Sequence, residues 1–154
     1  MGEIFYGNFP NSQAELESRL KSVERCINND ENLRQVNAEF CRRAFRLMTD
    51  CGLITADNVQ FLSSADACES YDSKLKFPYN RSEGVLRKVE RDDDVYDANH
   101  VQRFYRGDKM CVICNGEKFL IANNWFAEGG NISSNKRAFF NWLTLQTTAA
   151  LNKR

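Results

Sequence analysis

An α+β fold follows from three features of this 154-residue sequence. Apolar residues recur at helical spacing through the first half of the chain. The pattern then shifts to short apolar runs around Asn115-Gly116, and helical spacing returns after Ser133. The expected architecture is α+β: N-terminal helices followed by a small antiparallel sheet centred on an Asn-Gly hairpin and a C-terminal helix. A chain of this length suits a single domain, 1–154, with a mainly helical part over 1–73 and the sheet plus last helix over 74–154.

Taken in order, Ile4, Phe5, Tyr6 and Phe9 precede Pro10 and read as a short edge strand or an apolar arm. Ser12-Gln-Ala-Glu15 has the form of a capping box, and Leu16, Leu20, Val23 and Ile27 come after it at helical spacing, predicting a helix over 12–27. Asn28-Asn29-Asp30 breaks it. A second helix is expected over 31–51, with Leu33, Val36, Phe40, Ala44, Leu47 and Met48 as its buried stripe. Gly52 stands where a left-handed residue closes a helix. Thr55 is a plausible N-cap for a third, short helix, and 63–71 reads as a further helical turn or two.

Lys74-Leu-Lys-Phe-Pro-Tyr-Asn-Arg81 is a connector. Val85, Leu86 and Val89 then suggest a strand, Asp92-Asp93-Asp94 an exposed loop, and Val101 to Arg106 a second strand by alternation. In Lys109 to Ala122 two apolar runs flank Asn115-Gly116, the pair that a type I′ turn favours because both central residues take positive φ. A two-residue loop puts Cys114 opposite Glu117, Val112 opposite Phe119 and Met110 opposite Ile121. Met110, Val112, Phe119 and Ile121 then share one face, and Cys111, Ile113 and Leu120 the other. With apolar residues on both faces, the hairpin is expected to be central and covered on both sides. Trp125 ends the sheet. The last helix, over 134–151, shows Ala138, Trp142, Leu145 and Ala149 in one row, with Phe139 and Leu143 beside it.

Hydrophobic residues at 42% and charged residues at 27% fit a soluble globular protein. Twenty-one basic and twenty-one acidic residues cancel, which removes the bulk electrostatic argument for nucleic acid and leaves room only for a local patch. No run is long enough to cross a bilayer, and the N-terminus lacks the plan of a signal peptide, so a cytoplasmic protein with no membrane partner is expected. In that compartment the six cysteines read as reduced, small hydrophobes.

Residues with chemical potential are few. Cys111-Val-Ile-Cys114 has zinc-like spacing, but a regular strand points the two thiols to opposite faces and no partner pair stands nearby, so no metal is expected. His100 is the one histidine. It comes after Asp92, Asp93 and Asp94, a set that could serve a metal-dependent hydrolase, against the plainer reading of a solvated acidic loop. Glu117-Lys118 partly resembles the Glu-x-Lys arrangement of restriction-type nucleases, yet the spacer residue is missing. No phosphate-binding glycine loop or hydrolase elbow occurs, so no cofactor is expected.

Two surfaces invite binding. Arg42, Arg43 and Arg46, followed by Gly52 and a short helix, have a helix-turn-helix flavour, with the Asn-Gly hairpin as a wing; the three arginines would then contact phosphates. Tyr79, Arg81, Arg103 and Tyr105 combine aromatic rings with arginines, the composition of interface hot spots. Their competing reading is core aromatics beside arginines that pair with the Asp92–Asp94 loop.

From Phe40 onward, Gly52-Leu-Ile-Thr, Phe61-Leu, Phe77-Pro78, Leu86-Arg-Lys-Val89, Arg103-Phe-Tyr105, Asn115-Gly-Glu-Lys-Phe119, Asn124-Trp125 and the Phe139–Leu143 helix occur in an order that resembles a small module of bacterial and phage proteins. That module is found alone or attached to restriction-type and other defence-related proteins. The resemblance implies a bacterial or phage setting and binding rather than turnover. The expectation is a non-enzymatic binding protein with a protein partner in a defence or regulatory system; the alternatives are a nucleic-acid-binding protein and, behind it, a metal-dependent nuclease or hydrolase.

Overall fold

Local signals mark several of the helix ends. In the computed structural model, which describes residues 8–27, 33–77, 80, 82–90, 103–106, 110–125 and 134–154, helix α1 spans Gln13–Glu24. Ser12 Oγ accepts the Glu15 N–H at 3.1 Å, as an N-cap should. The Glu15 carboxylate reaches back to the Asn11 N–H at 3.1 Å, so the box closes one residue earlier than its usual form. Leu16, Leu20 and Val23 are its buried face. Helix α2 spans Leu33–Asp50. It ends in a Schellman motif: Gly52, at φ 71°, lets Leu53 N–H reach Met48 O at 2.8 Å and Gly52 N–H reach Thr49 O at 3.1 Å. Thr55 caps α3 (Ala56–Leu62) and Ser64 caps α4 (Ala65–Tyr71). Helix α5 covers Ser134–Asn152. Among the described residues, no helix is long and apolar enough to cross a membrane.

The sheet has three antiparallel strands, β1 (Leu86–Lys88), β2 (Cys111–Cys114) and β3 (Glu117–Ile121), in the order β1-β3-β2. The hairpin register agrees with the count from the sequence: Cys114 pairs Glu117 and Val112 pairs Phe119. Asn115 and Gly116 have φ of 51° and 81°, as a type I′ turn requires. Two expectations need correction. The hairpin is not central as a unit: β1 takes the far side of β3, so among the described residues β2 is an outer strand, with Ile113 57% exposed. Of the expected strand 101–106, residues 101 and 102 lie outside the described residues, and 103–106 form no full strand. Because β2 already occupies β3 as far as Leu120, residues 103–106 can pair only near the end of β3 and just beyond it. Phe104 forms a single bridge with Ala122, with Tyr105 N–H on Ile121 O at 2.8 Å and Asn123 N–H on Arg103 O at 2.9 Å.

The core is aromatic and gathers on Trp125, which is fully buried. Its ring lies 5.2 Å from Phe40 of α2, 4.9 Å from Phe77 of the connector and 5.4 Å from Phe139 of α5, centre to centre. Edge and tilted contacts of this kind suit the ring quadrupoles. The indole N–H donates to Ala122 O at 2.6 Å, so the polar end is satisfied as well. Of the expected α2 stripe, Phe40, Ala44, Leu47 and Met48 are buried, joined by Cys41 and Phe45. The expected row on α5 leaves the core past Trp142. Leu145 is 60% exposed, and Leu143 with Thr147 continues the buried line instead.

Polar side chains tie the elements together inside this core. Asn80 donates to Gly84 O at 3.0 Å, Asn124 to Asn80 Oδ1 at 3.1 Å, and Asn135 to Asn124 O at 3.3 Å, which joins connector, sheet end and α5. Lys136, fully buried, donates to Cys26 O at 2.6 Å, just past the C-terminus of α1, with its ammonium 5.5 Å from the centre of the Phe40 ring.

Candidate functional site

The face of α2 turned from the aromatic core is basic, and the helical period puts it there. Phe40, Cys41, Ala44 and Phe45 point inward, leaving Arg42 and Arg46 outside with side chains 57% and 65% exposed. Two grooves adjoin along this helix. The first, about 600 Å³, lies between α1, α2 and β2; Arg19, Arg42, Arg43 and Arg46 rim it, and Phe45, Met110, Val112 and Ile121 give it an apolar floor. The second, about 650 Å³, runs along the N-terminal half of α2 and carries Arg25, Arg34, Arg42 and Arg43. Each lining holds four arginines and a single glutamate, Glu39, shared by both.

Glu39 is also the local organiser. Its Oε1 accepts from Arg42 at 2.8 Å and its Oε2 from Arg43 at 2.9 Å, the i,i+3 and i,i+4 pairs that a helix face permits. The Arg43 hydrogen bond, ahead of the one from Arg42, holds the Glu39 carboxyl below its ordinary value despite some burial. Arg43 has a second anchor, Ser22 O at 2.8 Å, which stitches α2 to α1. Asp50, nearly buried, takes Arg19 at 2.8 Å and stands 3.4 Å from Arg46. The guanidiniums are thus held in fixed orientations, while the exposed edges of Arg42 and Arg46 stay open to solvent.

Of the aromatic-and-arginine set, Tyr105 and Arg103 lie among the described residues; Tyr105 is half-buried, and burial pushes its phenol upward. Arg103, also half-buried, sits two residues away across the Phe104 bridge. Tyr79, Arg81, Asp92, Asp93, Asp94 and His100 lie outside the described residues. Cys111 and Cys114 occupy opposite faces of β2: Cys114 is buried, Cys111 half-exposed at the rim of the first groove. The other four thiols are buried, and desolvation pushes Cys51 and Cys68 up to about 11. No group of three or more potential metal ligands occurs among the described residues.

Glu39 and Arg34 had a signal in the sequence, since both fall on the outer face of α2 and Glu39 stands three and four residues before Arg42 and Arg43. Arg19 and Arg25 had none, because only the packing of α1 on α2 carries them to the same surface. A scan against protein-family models, a search of curated proteins and a search of solved structures each give no match to this chain.

Proposed function

We propose that this chain is a non-enzymatic cytoplasmic binding protein that docks an acidic protein partner on the arginine face of α2. The single observation carrying this reading is the composition of the two adjoining grooves, four arginines to one glutamate in each, with an apolar floor under the first. Arginine forks recognise carboxylates in a bidentate way, and an apolar floor rewards a protein side chain more than a phosphate. The bacterial or phage setting, and the defence or regulatory role of the partner, rest on the resemblance of the Gly52–Leu143 pattern.

The second reading, direct nucleic-acid binding, has one observation in its favour. Arg34, Arg42 and Arg46 extend along about 18 Å of helix, enough to meet several phosphates. Glu39 and Asp50, placed among the arginines, count against a continuous phosphate track.

Fluorescence anisotropy with poly-L-glutamate and with a duplex DNA oligonucleotide, each over a salt series, tests the choice. The expected result is binding of the acidic polypeptide that weakens in the Arg42→Ala/Arg46→Ala double variant. Preferential DNA binding whose affinity falls with a log–log slope of several would transfer the site to nucleic acid.

A further inference from the structure

Among the described residues strand β2 lies at the outside of the sheet, and its backbone has a position that no described strand pairs. In a two-residue hairpin the closing pair, Cys114 with Glu117, exchanges both backbone hydrogen bonds, and such pairs alternate along the ladder. Ile113, opposite Lys118, therefore turns its N–H and C=O away from β3. The far side of β3 agrees with this, because Lys118 O is turned to the β1 side, where it accepts Val89 N–H at 2.9 Å. Among the described residues no strand runs along the outer side of Ile113, and the residue is 57% exposed. Short length is the one protection visible there, since β2 has only four residues.

This open edge borders the first arginine groove, whose floor includes Met110 and Val112 on the face of the sheet opposite to Ile113. We propose that an extended acidic segment of the partner protein adds to β2 as an antiparallel strand, pairing with Ile113 through its backbone. The inference rests on the reading of the arginine face as a protein-docking site and specifies the form of what docks. Side chains of an added strand alternate between faces. The residue directly opposite Ile113 shares its face and is apolar. Its neighbours fall on the Val112 face, where Arg42 and Arg46 meet carboxylates. The recognised pattern is thus an acidic residue at every second position with apolar residues between them.

The probe is a fluorescein-labelled, end-capped peptide of alternating glutamate and valine, compared with the same peptide N-methylated at its valines. N-methylation removes the donors that would face Ile113 and keeps every charge. The unmethylated peptide is expected to bind the full chain, and methylation or Ile113→Pro to weaken binding about tenfold, the loss of one or two hydrogen bonds. Proline is tolerated at an edge position whose N–H points outward. As a measurement needing no variant, the Ile113 amide should exchange more slowly with deuterium when the peptide is added. Equal binding of both peptides, with Ile113 exchange unchanged, would overturn strand addition and leave the arginine site standing. Duplex DNA binding without peptide binding would overturn both. Self-association of the free chain that Ile113→Pro abolishes, without peptide binding, would assign the edge to a second copy and overturn the proposal.

Discussion

Helix α2 has two sides that obey different rules. Toward the core, Phe40 meets Trp125 and Phe139, and every ring is buried with no solvent to relax into. Toward solvent, Arg42, Arg43 and Arg46 share two carboxylates, and water screens the two pairs on Glu39, while Asp50 is buried and held by Arg19 as well. The inner side sets stability through volume and shape. The outer side presents charge to solvent, and its exposed arginines, Arg42 and Arg46, can be substituted without repacking the interior.

The contrast is sharpened by Trp125→Ala. Removing the ring at the junction of α2, the connector and α5 should cost about 3–5 kcal/mol, read as a lowered midpoint in urea denaturation. A loss under about 1 kcal/mol would mean that the aromatic cluster does not organise the core. Lys136→Met comes next, as the case where a charge sits on the inner side. It keeps the stem volume but leaves Cys26 O without its donor, so a loss of about 1–3 kcal/mol is expected. A neutral or stabilising outcome would place Lys136 with those buried charges that apolar groups replace without penalty.

On the outer side, Arg42→Ala and Arg46→Ala should each stay within about 0.5 kcal/mol of the parent in the same titration, while poly-L-glutamate binding weakens. An early melt in either variant would erase the distinction between the two sides. The smallest effect is on acid stability. A carboxyl held below its ordinary 4.5 adds stability above the unfolded value and loses it as pH falls through the lower folded value. Thermal melts from pH 5 downward should therefore show a declining Tm, with a shallower decline in Glu39→Gln. Identical pH profiles for the two proteins would mean that the arginine pairs on Glu39 contribute nothing to the fold.

Much of the inner side was legible in the residue order alone. Apolar spacing located α1, α2 and α5, Gly52 marked the end of α2, and Asn115-Gly116 fixed the hairpin register to the residue. The failures have a common origin in tertiary placement. Nothing local to Cys111–Cys114 says that β1 will take the other side of β3 and leave β2 outside. The row through Leu145 is a sound helical row, but its neighbours end before it does. On the site, Arg42, Arg43 and Arg46 could be singled out from one helix alone. That Arg19 and Arg25 join them depends on how α1 lies against α2, and the half-burial of Arg103 and Tyr105 depends on a bridge between residues eighteen positions apart.

The Lys136–Cys26 and Arg137–Glu24 contacts span 110 and 113 residues of sequence. On a ribosome adding about 5–20 residues each second, the end of α1 waits roughly 5–20 s for the start of α5 to be made. During that interval α1 has α2 to pack against and not yet α5. Closing such a distant contact late is a slow step by its topology, since the loop entropy is lost before the contact forms. The two contacts that pin α1 to the start of α5 in the finished molecule are therefore among the last the chain can make.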